Sequence, residues 1–178
     1  VYIKIFNPAI IESFKKRCDM TIIGMGARFT DTDDYKKYSI EKAIKGADIT
    51  SLASILQSDL SAGVKIFSII TAAQFGSMDV MKYILSAGFE ISDATRGGAV
   101  AYAALKRDLD MVQYLLPPAL KIDTRLKFAA ISNAVDAKHL GILKYLVRED
   151  PSIPKDFLEQ LIARAKGHRD ICNYLSEL

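Results

Sequence analysis

Residues 66–91 read IFSIITAAQFGSMDVMKYILSAGFEI. Ala72-Ala73 fit a first short helix, Gly76 breaks it, Asp79 is placed to open a second, and Val80, Tyr83 and Ile84 fall at i, i+3 and i+4 on one apolar face. Gly88 then stops the second helix. The same constellation returns at Ala103-Ala104, Asp110, Val112 and Tyr114-Leu115-Leu116, and again at Ala134, Leu143 and Tyr145-Leu146-Val147. Tyr83, Tyr114, Tyr145 and Tyr174 are spaced 31, 31 and 29 residues apart. A fixed period near thirty with two short helices per unit predicts a stack of helix pairs, because one pair cannot bury its apolar face alone.

Working outward, Ala43, Gly46, Asp48, Ile49, Leu52 and Ile55 form a first, degenerate copy, with Gly46 thirty residues before Gly76. The third copy carries Arg107 where the second has Gly76, and its second helix ends at Pro117-Pro118, which cannot continue a helix. The fourth has Asp136-Ala137-Lys138 at its inter-helix turn and closes before Pro151. The fifth recovers Gly167 at the turn. Small residues at Ala72, Ala73, Ala103, Ala104, Ala134 and Ala163 are expected to let neighbouring helices approach closely, with Tyr83-Ile84-Leu85 and their equivalents filling the space between pairs.

AAQFGSMDVMKYILSAGFEI and its degenerate copies resemble the ankyrin repeat over residues 37–178. The resemblance implies an all-α, ankyrin-like solenoid of about five helix-turn-helix repeats, a loop after Gly88, and a concave face built from first helices and loop tips that binds another protein. This sequence departs from the family where Ser68-Ile69-Ile70-Thr71 and Ala99-Val100-Ala101-Tyr102 replace the T-P-L-H segment. Ser92 also stands where family members often carry an asparagine, so hydroxylation there is not expected. Residues 1–36 read as a separate helical segment or cap: VYIKIF suits a linker, Asn7-Pro8 a helix start, and Ile10, Ile11 and Phe14 share a face over Pro8–Cys18. Asp31, Asp33 and Asp34 ahead of Tyr35-Lys36-Lys37 match a helix start, acids first and cations later.

The bulk composition is that of a globular chain: 178 residues, half of them apolar, and a formal charge of +3 from 24 basic and 21 acidic side chains. That balance lacks the basic excess of a chain built mainly to bind nucleic acid. A nucleic-acid reading would rest on Lys106, Arg107, Lys121, Arg125 and Lys127 and would show as salt-dependent retention. No apolar run approaches the roughly 20 residues needed to span a bilayer. Cys18 and Cys172 have no metal-ligand spacing, which fits a reducing, cytoplasmic setting, the host's cytoplasm if the chain is a secreted effector. Gly24-Met25-Gly26 follows an apolar run, but Phe29 replaces the third glycine of a dinucleotide fingerprint.

Nothing in the spacing of His139 and His168, one in each of two successive turns, brings a nucleophile and a base together, so no catalytic residue, cofactor, metal or small-molecule substrate is assigned. His168 after Gly167 reads as a turn residue. Carrying the family's concave positions over, the resemblance implies partner-binding residues at Gln74, Phe75, Phe89, Glu90, Asp93, Arg96, Lys106, Lys121, Asp123, Arg125 and Asp136. Phe75 and Phe89 are either binding anchors or rings that close a gap in the stack. A Phe89→Ala change combined with Arg96→Glu is expected to leave the fold intact and abolish partner capture. The function so implied is a protein–protein interaction module. The alternative is a regulatory or targeting domain of a larger multidomain enzyme or host-directed effector, favoured by the start at Val1.

Overall fold

The computed structural model describes residues 32–118, 120–148 and 153–178. The expected helix over Pro8–Cys18, the linker before it and the Gly24-Met25-Gly26 segment lie outside the described residues. Within these bounds the chain forms ten α-helices and no strand. They are α1 Asp33–Lys45, α2 Ile49–Leu56, α3 Ala62–Phe75, α4 Met78–Ser86, α5 Asp93–Leu105, α6 Leu109–Leu115, α7 Thr124–Asp136, α8 Leu140–Val147, α9 Lys155–Arg164 and α10 Arg169–Ser176. Joins of two to four residues make five pairs of them, α1 with α2 through α9 with α10. The first pair therefore begins at Asp33, four residues before position 37.

Each helix start has a local cause. Thr32 caps α1 by accepting from the Tyr35 amide, and Asp33 and Asp34 occupy the first turn while Lys42 and Lys45 occupy the last, each sign at the end the dipole favours. The second helices are capped by Asp48, Ser77, Asp108 and His139, each accepting from the amide three residues on. For His139 the acceptor is Nδ1, 3.1 Å from the Ile142 amide. These caps correct the sequence expectation, which opened helices at Asp79 and Asp110. Both acids lie in the first turn, one residue inside the helix, where they meet the dipole but leave the cap to Ser77 and Asp108. His168 holds the same backbone conformation as His139 (φ −115°, ψ 87° against −116°, 89°) but makes no side-chain cap bond.

The inter-helix turns carry a second correction. Ala47, Arg107 and Lys138 adopt positive φ (51°, 67° and 60°), as does Gly167 (92°), so four of the five turns pass through the left-handed region. Gly76 does not: at φ −79° and ψ 177° its backbone is extended, and its join has two residues where the α5–α6 join has three. Gly76 and Arg107, aligned by sequence, are thus not equivalent. Glycine is needed at 76 because a Cβ there would lie 2.7 Å from the Ala72 carbonyl oxygen.

First helices of successive pairs lie side by side, α1 against α3, α3 against α5, α5 against α7 and α7 against α9, and each also packs on the second helix of its own pair. Ala72, Ala73, Ala103, Ala104 and Ala134 are fully buried at these contacts. Ala163 is not: it is exposed, and Leu161 and Ala165 are buried instead. Gly97 and Gly98 set the spacing around α5. A Cβ on Gly97 would reach within 2.5 Å of Leu126 Cδ1, and one on Gly98 within 3.1 Å of Ile70 Cδ1, so the pair lets α7 and α3 approach from either side. On the second helices the core is Val80, Ile84, Val112, Leu115, Leu143 and Leu146. The tyrosines sit at its margin: Tyr114 is exposed, and Tyr145 donates its hydroxyl to the Leu116 carbonyl oxygen at 2.6 Å.

Candidate partner-binding face

Four first helices leave one side uncovered. Residues at i, i+3 and i+7 share a face of a helix, and the rows Tyr38/Glu41/Lys45, Phe67/Ile70/Gln74, Gly98/Ala101/Leu105 and Ala129/Ser132/Asp136 are all half-buried or exposed. Neighbouring rows touch. Ile70 packs at Gly98, and Asn133 next to Ser132 donates to the Ala101 carbonyl oxygen at 2.8 Å. The middle of this face is small and apolar, with Ile70 on one side and Leu105, half exposed, at its end. Tyr38, Ile70 and Ala101 were not among the residues expected to bind. Their signal was present in the sequence only as positions that break the apolar stripe of each first helix outward.

The last residues of the first helices form a chain of contacts from pair to pair. Lys45 places its ammonium 4.3 Å from the centre of the Phe75 ring while pairing with Glu41. Lys106 donates to the Gly76 carbonyl oxygen. Asp136 pairs with Arg164 through Nε at 2.9 Å and through Nη2. Phe75, Lys106 and Asp136 are thus brought to one edge, each already joined to the neighbouring pair. Gln74, from the same edge, is exposed. Beside it, the α5–α6 turn opens a concavity of about 440 Å³ lined by Lys106, Arg107, Asp108, Leu109 and Asp110.

The loop-side residues divide differently. Phe89 is 8% exposed and belongs to the core, with the Lys65 ammonium 5.6 Å from its ring. Arg96 donates from Nη1 to the Leu115 carbonyl oxygen at 3.1 Å, and its Nε is buried. Phe89 therefore closes the stack, and the expectation that a Phe89→Ala, Arg96→Glu change spares the fold is overturned. It empties a core site and removes the donor to the end of α6. Asp123 caps α7 through the Arg125 amide at 2.9 Å. Glu90, Asp93, Lys121 and Arg125 are exposed on this side, away from the turn edge where Phe75 and Lys106 lie.

Few groups are electrostatically perturbed. The Asp48 carboxyl lies below its ordinary range because the Ser51 hydroxyl, then the Ser51 amide, hydrogen-bond its charged form. Burial raises the Tyr174 phenol. Among the described residues no three His, Cys, Asp or Glu side chains gather where a metal ion would be held, and no helix is long and apolar enough to cross a membrane. Compared with protein-family models, with curated proteins and with solved structures, the chain finds no match in any of the three.

Proposed function

We propose that the five helix pairs are an ankyrin-like solenoid and that the protein binds another protein on the open face of its first helices. The recurrence of the pair about every thirty residues and the side-by-side packing of first helices support the architecture. The observation that carries the binding reading is Leu105. It ends α5 half exposed (50%), on the same helix face as the small residues Gly98 and Ala101, and Phe75 at the end of the neighbouring first helix is exposed as well (42%). An apolar residue in such a place contributes nothing to its own fold's core and gains only when a partner covers it.

The test is affinity capture with the wild-type chain, identification of the partner, and repetition with Leu105→Asp. The variant keeps its circular dichroism spectrum and melting temperature and loses the partner at least about tenfold, as a desolvated charge in an interface core does. A partner held equally well by Leu105→Asp removes this face from the binding site.

A further inference from the structure

We infer that the segment bound at the turn edge of this face is an acidic, apolar-containing extended stretch of the partner protein, a proposal that rests on the protein-binding reading above. Three successive turns, α5–α6, α7–α8 and α9–α10, each expose a basic side chain that makes no ion pair among the described residues: Arg107, Lys138 and Lys166. Several of their neighbours are committed, while Asp170, like Asp110, is exposed in the first turn of its helix. Lys106 is tied to the Gly76 carbonyl oxygen, Arg164 to Asp136, and Asp108 to the Met111 amide. Asp110 remains in the wall of the α5–α6 concavity, in the first turn of α6, where the helix dipole offsets its charge. Arg169 adds another exposed cation beside Lys166.

The backbone gives an independent observation. Arg107 and Lys138 occupy the left-handed position that Gly167 fills in the last turn and Ala47 in the first, a seat disfavoured for any residue with a Cβ. Two cations held there at a conformational cost stand out toward solvent, and neither makes an ion pair among the described residues.

Spacing selects the ligand. Neighbouring helices lie about 8–10 Å apart, and an extended peptide in the polyproline II conformation advances about 3.1 Å per residue with three residues per turn, so that every third side chain faces the same way. Carboxylates at every third residue therefore meet Arg107, Lys138 and Lys166 in turn, while an intervening apolar side chain reaches Leu105. The opposite, loop-side edge offers no matching row, since one connection there exposes the acids Glu90 and Asp93 and the next the bases Lys121 and Arg125. The charge rail thus also sets the direction in which the partner segment lies.

The experiment uses the full chain and fluorescent probe peptides of repeated Leu-Ser-Glu, Leu-Ser-Gln and Leu-Ser-Lys triplets, with a single-stranded RNA oligonucleotide as a second polyanion. Fluorescence anisotropy is expected to show the Glu probe binding about tenfold tighter than the Gln probe, with the preference shrinking as salt rises. The double variant Arg107→Gly, Lys138→Gly, which relieves both left-handed seats, is expected to melt no lower than wild type and to lose that preference. A Glu probe that binds no better than the Gln or Lys probe, an unchanged preference in the double variant, or tighter retention of the RNA overturns the proposal. The protein-binding reading fails separately: it falls if Leu105→Asp retains the captured partner, and it stands if that partner is lost with Leu105→Asp but kept by the glycine variant.

Discussion

The α3–α4 join and the α5–α6 join come from the two copies most alike in sequence, and they are built differently. The first turns in two residues, Gly76 and Ser77, with extended backbone at both. The second takes three, Lys106, Arg107 and Asp108, and passes through positive φ at Arg107. Both deliver a capped second helix onto the same core. In the first, glycine is required by space, against the Ala72 carbonyl. In the second, a left-handed conformation is required and a non-glycine residue bears it. A glycine in an aligned column is therefore no guide to why it is there, and a residue aligned with it is not released from constraint. The two joins are tied to each other by the bond from Lys106 to the Gly76 carbonyl oxygen.

The largest expected effect lies in the core the two joins share. Ile84→Ala beside the first and Leu115→Ala beside the second each empty a fully buried site and are expected to cost about 2–5 kcal/mol in urea unfolding. A much smaller loss at one of them means that the two pairs do not share a core of equal quality, and an unchanged Leu115→Ala midpoint would falsify the packing described for α6.

The joins themselves come next and carry opposite signs. Gly76→Ala puts a methyl into backbone and is expected to lower stability by about 1–3 kcal/mol, as overpacking does. Arg107→Gly removes a left-handed side chain and is expected to leave the melting temperature unchanged or raised by a few degrees, its relief of roughly 1 kcal/mol being partly offset by a more flexible unfolded chain. Loss of stability at both sites, or at neither, would erase the distinction between the two joins.

The smallest effect concerns the caps, where the joins should agree. Ser77→Ala and Asp108→Ala each remove an acceptor for the amide three residues on and are expected to cost about 1 kcal/mol apiece. Asp79→Asn and Asp110→Asn, by contrast, weaken only a dipole contact of a few tenths of a kcal/mol. Equal losses from caps and first-turn acids would return the helix starts to the acids.

Much of the fold was legible because helix periodicity and core burial are written in the same residues. Val80 and Ile84, and Val112 and Leu115, could be read as inward from spacing, and they are. The site was less so. Gln74, Lys106 and Asp136 were named from their place after the paired small residues, and the edge they occupy is one edge. What spacing did not reveal is that Lys106 and Asp136 are spoken for by Gly76 and Arg164, residues 30 and 28 positions away. Phe89 and Arg96 read as loop residues and are held by α3 and α6 side chains and backbone that only the packed chain brings near.

By itself the sequence determined that the chain makes short amphipathic helices in pairs, since 3.6-residue periodicity, capping side chains and breaking residues are local properties. Only the tertiary structure decided which exposed residues are surplus to the fold. Burial and pairing depend on neighbours some thirty residues away, and a small change in a turn, such as the missing residue between α3 and α4, redirects a side chain without altering the pattern that announces the helix. Arg107, Lys138 and Leu105 emerged as exposed, Arg107 and Lys138 without an ion pair among the described residues, while Lys106 and Asp136 near them are joined to the neighbouring pair.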